Sequence, residues 1–407
     1  MRELIYYKKN LLKPIGGPTG YLFNLNKELE RCNNSEITFI NSKDSFMKKC
    51  ALRLPKKIAK KIQYLKRYIT RLSDLKKFYK GEKKSIVNLN DYDIIHFHST
   101  MDMYMAKDSL KEYKGITVLT SHSPKVHFKE LIEDYTLKKD YKKYKEKFDG
   151  YEEADIYSFL NADYIMFPVP QSEECYYNTW DKYNEIRKKS RAKHIYIPTG
   201  ITPINTQKFN REIIREKYNI PKEAFVVCYV GRHNEIKGYD QLKIIAQEIL
   251  KERKDIYFLI AGQEKPIKGI KDNHWIEVGW TNQAHEIIYS SDVFILPNKE
   301  TYFDLILLEV MSIGKPVVLT NTGGNKYFKK FNNSGLFYYD YGDNDMAKQL
   351  ILNLKNDNSM EKYGSLNKEI FNKNFTIEKF TIEYIKEMKK IYIEGENEKI
   401  NKKELHL

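Results

Sequence analysis

The stretch Val226-Val-Cys-Tyr-Val-Gly-Arg-His-Asn-Glu-Ile-Lys-Gly-Tyr-Asp240 decides the fold of the second half of the chain. Its first five residues are apolar or aromatic, which predicts a buried β-strand that ends at Gly231. Arg232 and Lys237 follow this strand, and Gly238 stands just before a segment with helical spacing. Because ligands of parallel sheets bind beyond the carboxyl ends of the strands, these two cations stand where an anion could bind.

A second stretch, Pro297-Asn-Lys-Glu-Thr-Tyr-Phe-Asp-Leu-Ile-Leu-Leu-Glu-Val-Met-Ser-Ile-Gly-Lys-Pro316, places Glu309 inside an apolar, helix-like run. A buried carboxylate needs hydrogen-bond donors, and a ribose diol supplies two of them. The alternative is a salt bridge to a neighbouring side chain. The segment 301–304 leads into the N-terminus of the predicted helix, where backbone amides can bind phosphate.

Short apolar strands alternate with helical segments in both halves, which predicts an α/β fold with two parallel sheets covered by helices. Glycine and proline punctuate a polar stretch at 199–205, which indicates a domain boundary. We therefore expect an N-terminal Rossmann-like domain over 1–203, a C-terminal one over 204–375, and a helical tail over 376–407 that could pack back on the first domain. The expected strands start at Leu4, Glu36, Asp93, Ile116, Ala162, His194, Phe225, Ile256, Trp275, Val293, Pro316 and Leu336.

The chain has 407 residues and a net charge of +15, and its basic residues are clustered. Between Lys48 and Lys84 there are fifteen Lys or Arg and two acids, with Ile58, Ile62, Leu65, Ile69 and Leu72 on one helical face. Such a helix could lie on an anionic membrane surface or could pack on its own domain. The sequence has no apolar run of 18 residues, no export signal and no CxxC pair, so we expect a cytoplasmic location, including the inner membrane face.

Two DxD patterns are candidates for a metal site. Asp91-Tyr-Asp93 opens a strand at the end opposite to the ligand side, and Asp343-Asn-Asp345 is better placed to cap a helix. Arg232 and Lys237 can instead neutralise a diphosphate as fixed cations. The sequence therefore predicts no metal and no other cofactor.

On these motifs the chain resembles family 4 of the retaining glycosyltransferases, which have the GT-B fold of two Rossmann-like domains facing across a cleft. The resemblance implies that Gly231, Arg232, Lys237 and Gly238 hold the donor diphosphate and that Glu309 binds the ribose. The family's E-x7-E motif departs here, because its first position is Thr301 and Glu300 is one residue off. Thr301 or Asp304 could take the sugar contact, Glu300 could shift register, or the donor sugar could be unusual. The donor-binding set implied in this half is Gly231, Arg232, Lys237, Thr301, Phe303, Asp304, Leu305 and Glu309.

The N-terminal half adds two matches to the family. Gly16 and Gly17 stand in a glycine-rich turn after the first strand, where the family faces the donor phosphates. His122 follows a strand and matches the family's active-site histidine near the reacting sugar, so the implied catalytic set is His122, Arg232 and Lys237. The neighbouring His96 is expected to pack in the core, whereas His98 could either pack there or belong to the site. Residues 280–281 could line a base pocket.

The resemblance implies a retaining transferase that moves a sugar from a nucleotide donor, with a UDP-sugar favoured, to a hydroxyl. The basic helix suggests a lipid-linked saccharide in surface polysaccharide synthesis as acceptor, and a protein acceptor is the alternative. A non-catalytic partner subunit stays open because the first Glu of the motif is missing. Nucleic acid is not expected as a partner, because no recognition motif accompanies the charge.

Overall fold

The computed structural model describes residues 1–7, 12, 17–40, 65, 69, 87–133 and 145–404. Gly16 and nearly all of the basic segment 48–84 lie outside the described residues. From that segment Leu65 and Ile69 are described, and both are helical and exposed. The predicted membrane-facing stripe therefore stays a prediction.

The chain divides into two compact units. Unit 1 contains Met1–Phe167, Tyr176–Tyr196 and Tyr384–Leu407, and unit 2 contains Pro168–Cys175 and Ile197–Glu383. Glu383 and Tyr384 are neighbours within the last helix, which thus contributes residues to both units.

Unit 1 is built on a parallel sheet in which the described strands follow the order β2-β1-β3-β4-β5-β6. The strands are β1 Glu3–Tyr6, β2 Ile37–Phe39, β3 Ile94–Phe97, β4 Ile116–Leu119, β5 Tyr164–Phe167 and β6 Lys193–Tyr196. The described helices between them are α1 Pro18–Arg31, α2 Thr100–Met105, α3 Lys107–Leu110, α4 His127–Glu133, α5 Lys145–Asn161, α6 Glu174–Thr179 and α7 Tyr183–Lys189. All residues of β1, β3, β4 and β5 are buried, as expected for mainly apolar strands covered on both faces.

Unit 2 is built on a second parallel sheet, with the order β12-β11-β10-β7-β8-β9. The strands are β7 Phe225–Val230, β8 Ile256–Ala261, β9 Trp275–Gly279, β10 Val293–Leu296, β11 Val317–Thr320 and β12 Leu336–Tyr339. The described helices are α8 Arg211–Lys217, α9 Tyr239–Glu252, α10 Ala284–Ser290, α11 Leu305–Ile313, α12 Asn344–Lys355, α13 Met360–Asn374 and α14 Ile377–Glu404. The strand order reverses between the adjacent strands β7 and β10, and such a switch point is where open α/β sheets bind ligands.

The helix after β7 shows why this sequence packs on the sheet. In α9, Leu242, Ile245 and Ile249 are fully buried and share one face at helical spacing. They join Phe258 and Trp275 in the core of unit 2. Burying each such side chain stabilises the fold by about 1.5–3 kcal/mol, which fixes the start of α9 against the carboxyl edge of the sheet.

The predicted α/β class is confirmed, and every strand expected from the sequence is present. The helical segment expected after Gly238 is α9, and the helix-like run around Glu309 is α11. The helical tail expected over 376–407 contains α14, which runs from Ile377 to Glu404. No helix among the described residues has the length and apolarity that crossing a membrane requires.

Candidate functional site

The loop after β7 presents the first predicted cation at the carboxyl edge of the sheet of unit 2. Arg232 is exposed, and its carbonyl oxygen accepts a hydrogen bond from the hydroxyl of Tyr229 at 2.8 Å. A Cβ atom on Gly231 would lie 2.7 Å from that hydroxyl oxygen, so glycine allows the loop to turn over the tyrosine ring. The tyrosine thus fixes the backbone that carries the arginine.

Gly238 brings the second cation against the segment that follows β10. Its φ is +63°, and a Cβ atom there would lie 1.6 Å from the carbonyl oxygen of Pro297. Only glycine combines this backbone conformation with so close an approach. The preceding residue Lys237 is held by its backbone N–H, which donates to the side chain of Asn234 at 3.0 Å.

Lys237 makes an ion pair with Asp304, the residue before α11. The Lys237 Nζ atom lies 2.5 Å from Asp304 Oδ1, and Asn298 Nδ2 donates to the other carboxylate oxygen. Asn298 Nδ2 also lies 3.2 Å from the hydroxyl oxygen of Thr301, whose side chain is buried. Burial raises the pKa of Asp304, but the charge of Lys237 and these hydrogen bonds outweigh it, so the pKa is lowered and the carboxylate is charged.

Three predicted donor-binding residues, Lys237, Thr301 and Asp304, therefore form one hydrogen-bonded cluster around Asn298. We call these four residues the Asp304 cluster. Asn298 was missed by the sequence reasoning, although it follows β10 in the way that Arg232 follows β7. Its position at the carboxyl end of the strand beside β7 was the available signal.

The glycine pair after β11 supports the same segment from the other side. Added Cβ atoms would lie 2.0 Å from the carbonyl oxygen of Thr301 for Gly323 and 2.3 Å from that of Tyr302 for Gly324. The glycine pair thus allows a close backbone approach, and the partner is the chain itself. Phe303 lies in an aromatic cluster, with its ring stacked on Phe328 at 5.6 Å. The backbone of Phe303 lies near the N-terminus of α11, which begins at Leu305.

Glu309 is paired with a histidine on the neighbouring helix α10. The Oε2 atom of Glu309 lies 3.1 Å from Nε2 of His285, and both side chains are partly exposed. The hydrogen bond to Glu309 raises the pKa of His285 against the effect of burial. A carboxylate has two oxygens and about four lone-pair sites, so one histidine contact leaves capacity for a diol. His285 was missed, because no spacing in the sequence links it to Glu309.

In unit 1 the predicted active-site histidine is joined to a second histidine. Nε2 of His122, after β4, lies 2.8 Å from Nδ1 of His98, after β3. The ring of Tyr21 packs against both, at 4.8 Å from His122 and 5.7 Å from His98. Burial, followed by the neighbouring histidines His96 and His122, lowers the pKa of His98 well below its usual range.

His96 packs in the core, as predicted. It is fully buried, and its ring nitrogens contact the hydroxyl groups of Tyr384 and Thr120, each at 2.7 Å. Tyr384 in turn donates a hydrogen bond to the buried carboxylate of Glu3. This series of polar side chains lies in unit 1 and links β1, β3 and the residue after β4 to α14.

The remaining predicted residues have simpler settings. Gly17 has a φ of +82° and precedes α1, which begins at Pro18. Trp280 is 79% exposed, so its side chain does not line a closed pocket formed by the described part of unit 2. The carboxylate of Asp343 accepts from the backbone N–H of Met346 at 3.0 Å, so its predicted role as a helix cap is confirmed.

One family model matches part of this sequence. Residues 210–370 match the family model described as glycosyl transferases group 1. This match lies within the second unit. The predicted resemblance is confirmed at this level, and the assignment to family 4 within it stays a prediction.

Two curated relatives from Escherichia coli carry similar sequence. The O-antigen biosynthesis glycosyltransferase WclY is 23% identical over 75% of this chain and 76% of its own length. The UDP-Gal:alpha-D-GlcNAc-diphosphoundecaprenol alpha-1,3-galactosyltransferase is 27% identical over 40% of this chain and 45% of its own length. The chain thus spans less than half the length of the galactosyltransferase, and also less than half the length of the glycogen synthase from Anoxybacillus flavithermus that it matches.

Solved structures extend the likeness to nearly the whole chain. Sucrose-phosphate synthase from Thermosynechococcus elongatus superposes with a TM-score of 0.63 at 15% identity, covering 97% of this chain and 100% of that one. Anabaena HepE, solved in complex with UDP-glucose, gives a TM-score of 0.61 at 12% identity and covers 96% of this chain and 100% of its own. At these identities the likeness shows the fold, and the predicted GT-B class is confirmed.

Proposed function

We propose that this protein is a retaining glycosyltransferase that moves a sugar from a nucleoside-diphosphate donor, with UDP favoured, to a hydroxyl group. The bond between the anomeric carbon and the diphosphate breaks, and a new bond to the acceptor oxygen forms on the same face of the sugar. The diphosphate leaves with the bonding electron pair and takes up the proton that the acceptor hydroxyl loses. The names of HepE's ligand and of the galactosyltransferase's donor support the choice of UDP.

The observation that carries the proposal is the position of the cations and of Glu309 at one edge of the sheet in unit 2. Arg232 and Lys237 follow β7, and Glu309 is on the helix that follows β10, so all three stand at the switch point of the strand order. Fixed cations there would stabilise the charge that develops on a leaving diphosphate, without a metal. In this proposal Glu309 binds the ribose, and the backbone of 303–305 at the N-terminus of α11 binds phosphate.

The Asp304 cluster supplies the missing carboxylate of the E-x7-E motif. Thr301 is 1% exposed and its hydroxyl is occupied by Asn298, whereas Asp304 places a charged carboxylate beside Lys237. We therefore assign the contact to the transferred sugar to Asp304, with Lys237 shared between that carboxylate and the diphosphate. His122 is retained as the active-site histidine of unit 1.

For the acceptor we propose a lipid-linked saccharide in the synthesis of a cell-surface polysaccharide. The names of the two Escherichia coli relatives point to this class, one acting on a diphosphoundecaprenol-linked sugar and the other in O-antigen biosynthesis. The basic segment 48–84 would favour an anionic membrane surface, and we therefore propose the inner membrane face as the location. A protein acceptor is the alternative that the assay below tests.

The donor is tested by thermal stabilisation of the purified chain with UDP, GDP and ADP and their glucose forms. We expect UDP and UDP-glucose to raise the unfolding midpoint, and Arg232→Ala and Glu309→Ala to abolish the rise. Lys251→Ala is the matched control, since Lys251 is exposed and pairs with Glu248 on the far part of α9. If Arg232→Ala and Glu309→Ala respond to UDP like the parent, the donor site is elsewhere.

Transfer is then assayed with radiolabelled donor, and the anomeric configuration of the product is read by NMR. Undecaprenyl-diphosphate-linked N-acetylglucosamine and an unglycosylated protein extract serve as alternative acceptors. Label in the lipid fraction with the donor's anomeric configuration supports the proposal. Label in protein, or an inverted product, contradicts it.

A further inference from the structure

His98 and His122 share a single hydrogen between two ring nitrogens that lie 2.8 Å apart. Their rings are nearly parallel, with an interplanar angle of 18° and centroids 5.0 Å apart. His98 is 3% exposed, and its backbone N–H bonds the carbonyl oxygen of Tyr6. The buried ring of His98 is therefore fixed, while His122 lies closer to the surface.

The other nitrogen of His98 determines which histidine donates. Nε2 of His98 is buried and has no hydrogen-bond partner among the described residues. If His122 donated, neutral His98 would carry its hydrogen on Nε2, as a buried N–H without an acceptor. If His98 donates from Nδ1, its Nε2 holds only a lone pair at that place. Orphaned buried N–H groups are rarer than unfilled acceptors, as is known for backbone groups, so His98 is the donor.

The donation fixes the proton arrangement of His122 as well. Its Nε2 accepts from His98, so a neutral His122 carries its hydrogen on Nδ1. Protonating His122 at Nε2 would force His98 to move its own hydrogen to the unpartnered Nε2. The lowered pKa of His98 agrees with this arrangement, because a charged His98 is disfavoured first by burial and then by its neighbours.

We propose that His98 is a positioning residue that orients His122 and keeps it neutral, with its hydrogen on Nδ1. The proposal rests on the proposed function only for the role of His122 in transfer. In this proposal His98 does not contact the substrate and acts only through His122. A hydrogen bond of this kind, from a residue that does not itself touch the substrate, holds a reacting group in its productive geometry.

The proton arrangement is measured on the parent chain by NMR with ¹⁵N-labelled histidine at neutral pH. The His98 and His122 signals are assigned from their absence in His98→Asn and His122→Asn. We expect both rings neutral, with the hydrogen on Nδ1 in each. A His122 ring protonated at Nε2, or at both nitrogens, overturns the proposal, and this readout needs no activity.

Kinetics on UDP-sugar transfer test the consequence. Asparagine can offer an N–H near the place of Nδ1 and leucine cannot, so His98→Asn should keep kcat within about threefold of the parent. His98→Leu should lower kcat by about tenfold or more, with KM for the donor within about twofold. His194→Asn is the matched control, a histidine on β6 in the same unit and outside the pair.

The two ways to fail are distinguishable. A parental kcat in His122→Asn overturns the role that the proposed function gives to His122. A parental kcat in folded His98→Leu, together with an impaired His122→Asn, overturns the positioning role of His98 alone. If His98→Leu does not fold, the NMR result on the parent chain decides.

Discussion

Tyr384 accepts a hydrogen bond from His96, whose Nδ1 lies 2.7 Å from the tyrosine hydroxyl oxygen. The direction follows from the next contact, because the hydroxyl of Tyr384 donates its own hydrogen to the carboxylate of Glu3. With its hydrogen on Nδ1, His96 accepts at Nε2 from the hydroxyl of Thr120. Every donor in this hydrogen-bonded series therefore points toward one buried carboxylate. This lowers the free-energy cost of burying the carboxylate inside unit 1.

The substitution Tyr384→Phe should destabilise unit 1. It leaves Glu3 without its tyrosine donor and His96 Nδ1 without an acceptor, and hydrogen bonds to charged groups contribute about 1.5–3 kcal/mol. Urea unfolding should show a loss of that size in the free energy of unfolding. Tyr363→Phe is the control, because the hydroxyl of Tyr363 donates to the partly exposed Asp357 and its loss should destabilise the fold clearly less. Equal losses in both variants would contradict the account.

The sequence predicted the elements of the fold and missed these pairings for the same physical reason. Strands and helices follow from local apolar patterns, so β7, the turn at Gly238 and α11 could be placed from neighbouring residues alone. The partners of His96 and Glu309 are set by how distant elements pack. Tyr384 is 288 residues from His96, and His285 is on a different helix from Glu309, so no spacing rule connects them.

The position of Thr301 shows the same limit inside a motif. From the sequence, Thr301 and Asp304 were equal candidates to replace the first Glu of the E-x7-E motif. Their contacts separate them, since the carboxylate of Asp304 pairs with Lys237, whereas the hydroxyl of the buried Thr301 contacts Asn298. The backbone of Thr301 is also approached closely by Gly323, which comes after β11.

Gly238→Ala should disrupt the loop that carries Lys237 far more than its backbone angle alone requires. A non-glycine residue with positive φ costs about 1–2 kcal/mol. Gly279→Ala isolates that cost, because Gly279 has a φ of +75° and no atom within 4 Å of an added Cβ. At Gly238 the added atom would also meet the carbonyl oxygen of Pro297 at 1.6 Å. We expect thermal unfolding to show a clearly larger loss for Gly238→Ala, and equal losses would refute the steric argument.

The pair of His285 and Glu309 should make stability depend on pH. The hydrogen bond to Glu309 raises the pKa of His285 above its ordinary 6.5, so the folded chain binds this proton more tightly than the unfolded chain. The stabilisation is therefore complete below pH 6.5 and is lost as the pH rises through the raised value. Because 38% of the histidine side chain is exposed, it amounts to at most about 1 kcal/mol.

Chemical unfolding of the parent and of His285→Gln between pH 6 and pH 9 measures this term. The difference between the two proteins should be largest at the acidic end and should shrink toward the alkaline end. Glu309→Gln is the control and should remove the same pH dependence, because either substitution breaks the pair. A difference that grows with pH would mean that the histidine is held neutral instead.

Asp304→Asn should separate binding of the diphosphate from transfer of the sugar. Asp304 neutralises Lys237 at 2.5 Å, so removing its charge leaves the ammonium group free to attract a diphosphate. Asparagine keeps the size of the side chain, so the change is mainly one of charge. We expect UDP to bind more tightly, by up to about tenfold or ~1.4 kcal/mol, with the gain shrinking as salt rises.

If Asp304 contacts the transferred sugar, kcat of the Asp304→Asn variant should fall by at least about tenfold at the same time. Calorimetry with UDP and transfer kinetics measure the two effects, and Lys237→Met should show weaker UDP binding than the parent. Tighter binding with an unchanged kcat would leave Asp304 as a partner of Lys237 and return the sugar contact to another residue.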